Sequence, residues 1–233
     1  MLSFIFDYIN GNIGIAEFVL IVCVLAFVTL CCLPVHECAH AWTAHMLGDD
    51  TGRLKGRISL SPFAHLSLVG TVMMFVVGFG YAKPVPINIR NFKHRKLYFA
   101  LSALAGPLSN IILSVIFLLI ANIASVLAVF LPSLTEVFSV VLSFFYYSAY
   151  FNVMLAVFNL LPVPPLDGSR IITMILPDKL YYKLLSIERY FVYIMFALIF
   201  IFNRIGFSPI SKITEFVFGI LEIVTSVPFI FFR

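Results

Sequence analysis

An all-α polytopic membrane protein is the fold class this sequence predicts, and three observations predict it. Hydrophobic residues make up 62% of the 233 positions, charged residues only 11%, and the mean hydropathy is +1.07. Soluble domains hold about 45–50% apolar and about 25% charged residues. Several apolar runs reach the roughly 20 helical residues needed to cross a hydrocarbon core. The Lys and Arg residues gather in clusters between those runs. The chain therefore reads as integral to the lipid bilayer, and its modest net charge of +4 gives no reason to expect a nucleic-acid partner.

Five hydrophobic blocks can be drawn, at 13–47, 66–82, 97–131, 137–161 and 189–231, the last divided near Asn203–Ser211. They predict a helical bundle of about five spans. No Lys or Arg precedes Arg53, and neither the basic start nor the cleavage site of a secretory signal is present, so the first span is expected to be retained. Cys23, Cys31, Cys32 and Cys38 all fall in that block without zinc-ribbon or disulfide spacing and read as buried small apolar residues.

Basic residues cluster at Arg53, Lys55 and Arg57, at Lys83, Arg90, Lys93, Arg95 and Lys96, and at Arg170, Lys179, Lys183 and Arg189. Cytoplasmic loops are enriched in Lys and Arg, so these clusters are expected inside the cell and the N-terminus outside. The block 66–82 has basic flanks on both sides, and its core Leu66–Gly80 is only fifteen residues long. Re-entry is preferred there over a full crossing. Beside it, Arg53–Leu60 and Val85–Arg90 alternate in period two, which predicts a small membrane-associated strand element. Pro86 confines the second stretch to an edge. The competing reading of both stretches is a basic loop.

The strongest chemical signal is His36-Glu37-Cys38-Ala39-His40, at the inner end of the first block. Residues four apart share a helix face, so two neutral imidazoles can bind one metal ion while the Glu between them serves as general base. Ionisable groups after an apolar run are rare and by default functional. His45 lies on the opposite side of the helix, and His65 and His94 read as loop histidines. A catalytic zinc needs a third protein ligand. Asp167 is the candidate, in Asn159-Leu-Leu-Pro-Val-Pro-Pro-Leu-Asp167-Gly168, where three prolines must break a helix. Asp167 reads equally as the cap of a helix starting at Ser169.

Together with Ala105-Gly-Pro-Leu-Ser-Asn110, these motifs resemble the site-2 protease family of intramembrane zinc metalloproteases, over residues of about 20–175. The resemblance is to a short form, in which no PDZ or nucleotide-sensing domain is expected. The resemblance implies one zinc held by His36, His40 and Asp167, with Glu37 as base, and no other cofactor. It also implies that the helix bearing Gly106, Pro107 and Asn110 packs beside the site, and that Asn159 positions substrate. Ser61 and Ser67 depart from the Asn and Asp often found there in short members, which bears on loop or gate behaviour.

On this reading residues 1–175 form an intramembrane metalloprotease core and 176–233 add C-terminal transmembrane segments of the same domain. The expected activity is hydrolysis of peptide bonds within or near the spans of single-span membrane proteins. Asn159 or Asn110 would donate to the developing oxyanion. The expected location is a prokaryotic plasma membrane, with the active site toward the cytoplasm. A metal or ion transporter and a non-catalytic membrane scaffold are the alternatives. The lack of inverted repeats weighs against the first, the intact Glu37 against the second.

Overall fold

The computed structural model describes residues 12–67, 83–164, 166–172, 174–177, 180, 190 and 209–232. Three stretches in it are long and apolar enough to cross a membrane: Ile15–Met46, Arg95–Phe130 and Pro132–Asn159. They fall on the blocks 13–47, 97–131 and 137–161. The expected count of about five spans rested also on 66–82 and 189–231, and residues 68–82 and 191–208 of those blocks lie outside the described residues.

The first stretch is not one uninterrupted helix. Helix α1 (Ile15–Phe27) passes into a π-helical turn at Val28–Cys32 and then into α2 (Leu33–Met46). Pro34 explains the break, because it has no N–H to donate to the carbonyl four residues back. Short helices α3 (Thr51–Leu54) and α4 (Pro62–His65) follow. Then come the long α5 (Arg95–Phe130), α6 (Thr135–Asn159), the six-residue α7 (Asp167–Ile172) and α8 (Pro209–Ser226).

Helix α5 is the centre of the bundle, packing most extensively on α6, then on α2 and α7. Its buried face carries small or polar residues, among them Ala100, Ser102, Ala103, Gly106, Asn110 and Ser114. Its exposed face carries Leu101, Leu104, Leu108, Ile112, Ile116 and Ile123. Bilayer helices are built this way round, with small residues letting backbones approach and large apolar ones left to lipid. An apolar core of Val24, Val28, Phe117, Leu118, Val153 and Phe218 joins α1, α5, α6 and α8 farther along. Phe27 packs its ring against Phe117, Phe144 and Phe145. Of the four cysteines only Cys32 is buried; Cys23 and Cys31 lie on the outward face of the first stretch, where lipid replaces protein as the apolar partner.

Two expectations are corrected. Neither 53–60 nor 85–90 is a strand among the described residues. The first stretch begins inside α3, where Arg53 pairs with Asp50 at helical spacing, and then turns at Gly56, whose φ of +67° ends any extended run. In the second, the backbone N–H of Asn88 donates to the side chain of Asp49 at 2.7 Å, so a carboxylate takes the bond a partner strand would have taken. The chain then tightens into a 3₁₀ turn at Ile89–Asn91.

Candidate metal centre

The i, i+4 spacing on α2 places His36 and His40 on one buried face, both under 5% exposed. Their Nε2 atoms lie 3.0 Å apart. The turn after α6 brings in the third group. Leu160 and Leu161 close the end of α6, and the N–H of Leu166 donates to the carbonyl of Val163 at 2.9 Å, so the proline-rich segment folds back instead of continuing. Gly168 is required by that fold: a Cβ there would collide with the Leu160 carbonyl. Helix α7 thus starts at Asp167 itself, not at Ser169, and the Asp167 Oδ2 lies 3.3 Å from His36 Nε2 and 3.2 Å from His40 Nε2.

The three atoms form a nearly equilateral triangle with edges of 3.0, 3.2 and 3.3 Å. Four ligands at about 2.0–2.1 Å around a tetrahedral ion stand roughly 3.3 Å from each other. The residues present therefore fit a metal of that geometry, and all three are buried. They form the one group of three or more metal-binding side chains found among the described residues.

Helix α5 lies directly behind the pair. A Cβ on Gly106 would strike the imidazoles of both His40 and His36, so only glycine allows this approach. On one side of Gly106 the carbonyl of Ser102 accepts a hydrogen bond from His40 Nδ1 at 2.7 Å. On the other, the Asn110 side chain lies 3.2 Å from His36 Nδ1, with its Oδ1 buried and without a hydrogen-bond partner. Metal-bound histidines are commonly held in this manner through the other ring nitrogen.

The remaining named residues sit elsewhere. Glu37 is half-buried on α2, about 100° round the helix from His36. Asn159 is half-buried at the end of α6, and its Nδ2 donates to the Leu155 carbonyl at 3.0 Å. His45 is apart from the cluster and hydrogen-bonded to Asp50 at 2.6 Å. His65, expected in a loop, instead ends the short helix α4 and is fully buried, its Nε2 2.7 Å from the Ser59 carbonyl. The role of Ser102 was not visible in the sequence, because it acts through a backbone atom that every residue type carries. Its trace is the four-residue spacing of Ser102, Gly106 and Asn110.

The chain is similar to known proteins. Residues 120–202 match the model of peptidase family M50, a range that holds Asn159 and Asp167 but not the histidine pair. A Bacillus subtilis protein named "Putative zinc metalloprotease YwhC" is 41% identical over 172 residues, which are 72% of this chain and 75% of that one. A Mycobacterium tuberculosis protein named "Putative zinc metalloprotease Rip2" is 30% identical over 145 residues, which are 60% of this chain and 51% of that longer protein. No solved structure matches. A relative this similar over most of both lengths, together with the family match, places the chain: it belongs to peptidase family M50, the site-2 protease family of membrane metalloproteases.

Proposed function

We propose that the chain is a zinc endopeptidase that cuts peptide bonds within or near the transmembrane segments of other membrane proteins. The observation that carries this reading is the convergence of His36, His40 and Asp167 on one buried point toward the C-terminal end of a membrane-length stretch. These three would hold a single zinc. Zinc, when bound, supplies a Lewis acid toward a peptide carbonyl and makes water a better nucleophile at neutral pH.

The rest of the work falls to side chains. Glu37, about 100° round the helix from His36 and so beside the ligand triangle but not in it, would take the proton from the attacking water and return it to the leaving amine. Asn159 is the better candidate for the oxyanion, since it is only half-buried and its amide keeps one N–H after donating to Leu155, whereas Asn110 is fully buried against His36. The substrate must present an extended backbone, because a helix hides its peptide bonds. Family membership and a base beside the histidine pair favour this reading over a transporter or a scaffold.

A purified, zinc-loaded chain should cleave a single-span membrane protein. Glu37→Gln is nearly isosteric but cannot accept the proton, so it should keep stoichiometric zinc and lose turnover. Cleavage by Glu37→Gln at the parent rate would remove Glu37 from the mechanism.

The basic clusters support a cytoplasmic active site. A single cysteine placed at Lys93, in a chain freed of its native cysteines, should resist an impermeant external thiol reagent, while one at Ser133 should react. The reverse labelling would turn the protein over in the membrane.

A further inference from the structure

We propose that Asn110 is a positioning residue for His36: when zinc is bound, its Oδ1 accepts the proton on His36 Nδ1 and so keeps Nε2 free and aimed at the metal. The inference rests on the zinc reading above and assigns Asn110 a place outside the oxyanion.

The argument begins with the triangle. For His36 and His40 both to ligate through Nε2, both Nε2 atoms must present lone pairs. A neutral imidazole then carries its one proton on Nδ1. That proton needs an acceptor in a buried site, where an unmade hydrogen bond leaves a donor stripped of water with nothing in exchange. His40 has its acceptor, the carbonyl of Ser102 at 2.7 Å.

At His36 the group in reach is the carboxamide of Asn110, 3.2 Å from Nδ1 and fully buried. Its nitrogen faces the ring while its oxygen lies buried and unpartnered. That pairing suits the opposite tautomer, with the proton on Nε2 and directed at Asp167. A carboxamide can serve either tautomer, because its two ends are nearly equal in shape and opposite in hydrogen-bonding sense. A half-turn brings the unpartnered oxygen to Nδ1.

The register supports the assignment. Ser102, Gly106 and Asn110 stand four apart on one ridge of α5. The two histidines stand four apart on α2, with His40 against Ser102 and His36 against Asn110, so the segments run antiparallel here. Gly106 lies between, where only a hydrogen fits. One ridge of one helix thus supplies both acceptors and the clearance between them.

The test is zinc affinity, measured by chelator competition on the full chain in detergent, for the parent, Asn110→Leu and Asn110→Asp. Leu keeps similar volume and removes the acceptor, so affinity should fall by about 10- to 100-fold, the usual effect of losing such a partner. Asp keeps an acceptor oxygen and removes the N–H donor, so it should stay near the parent. Equal loss in both variants would reduce Asn110 to packing, and unchanged zinc in both would remove it from the metal site; either overturns the proposal. A parent that binds no zinc would overturn the metal reading itself. An independent measurement needs no variant: ¹⁵N shifts of the zinc-loaded parent should show His36 Nδ1 protonated, and an unprotonated Nδ1 would overturn the proposal even if Asn110→Leu fails to fold.

Discussion

Two aspartates are buried among the described residues, and their surroundings could hardly differ more. Asp49 is fully buried just beyond the end of α2, and four donors reach it: the backbone N–H of Thr51 at 3.1 Å, the Thr51 hydroxyl at 2.5 Å, the backbone N–H of Asn88 at 2.7 Å and the Asn91 amide at 2.7 Å. Asp167 is 6% exposed and faces two imidazole nitrogens. Amide and hydroxyl donors bring protons with them, so the carboxylate of Asp49 is satisfied and its work is structural. Imidazole nitrogens can present lone pairs instead, which makes three acceptors converging without a fixed donor, an arrangement that a cation completes. A buried carboxylate marks a site according to what its neighbours can give up, and not by burial alone.

The largest expected effect comes from breaking the Asp167 side of the contrast. Asp167→Ala leaves two imidazoles, and zinc affinity should fall by more than about 100-fold, since even outer partners of a metal ligand are worth about 10–100-fold. Gly106→Ala should do the same without touching a ligand, because its Cβ would occupy the space of the His36 and His40 rings. Asp49→Ala should keep stoichiometric zinc. Metal analysis of the three purified variants checks all of this. If Asp167→Ala holds zinc as tightly as the parent, Asp167 is a helix cap and the contrast collapses.

The two aspartates were also unequally legible. Asp167 stands in a motif that its prolines and glycine make conspicuous, and the His36–His40 spacing is a helix-face pattern readable without coordinates. The three described spans follow from hydrophobic run length for the same local reason. Asp49 gave no such signal. Its partners Asn88 and Asn91 lie far along the chain. The misread strands have the same origin. Period two at 85–90 is a local pattern, whereas the bond that decides the backbone of Asn88 comes from a side chain of another segment. Gly106 was visible as part of a motif, but its contact with both imidazoles is a property of two helices packed together.

A smaller effect is expected at Asp49, on stability and not on chemistry. Removing the carboxylate orphans several donors, some of which water can reach, so Asp49→Ala should cost about 2–3 kcal/mol. Its pH dependence follows from the same bonds. Burial alone would raise the Asp49 pKa, but the bonds from Thr51, Asn88 and Asn91 outweigh it and hold the carboxyl below its usual value of 3.8. A depressed folded value means that the contribution is complete above the unfolded pKa and is lost as pH falls through the folded one. Thermal unfolding of the parent and Asp49→Asn should therefore differ by a constant amount above about pH 5, and the difference should begin to shrink below about pH 4 and go on shrinking until the folded pKa is passed. A difference that grows toward acid pH would mean that the carboxylate is not the stabilising form.

The smallest effect is expected one residue further on. Asp50 carries the same charge as Asp49 and makes more conspicuous contacts: Arg53 Nε and Nη2 donate to its two oxygens at 2.9 and 3.2 Å, and His45 Nδ1 lies 2.6 Å away. The hydrogen bond from Arg53 comes first among the causes that hold its pKa below the ordinary carboxylate value, against a smaller opposing push from desolvation. Yet the side chains of Asp50 and Arg53 are both about half exposed. Water solvates each charge almost as well when they are apart, salt screens their attraction, and ordering two flexible side chains costs entropy. Arg53→Ala should thus leave the thermal midpoint in detergent indistinguishable from that of the parent at physiological ionic strength, with any loss confined to low salt. The comparison with Asp49→Ala is the informative one, because the two carboxylates are neighbours in one turn and differ chiefly in burial. Should Arg53→Ala lower the midpoint as far as Asp49→Ala does, and equally at high salt, then the number of contacts and not their removal from water would decide what an aspartate contributes here.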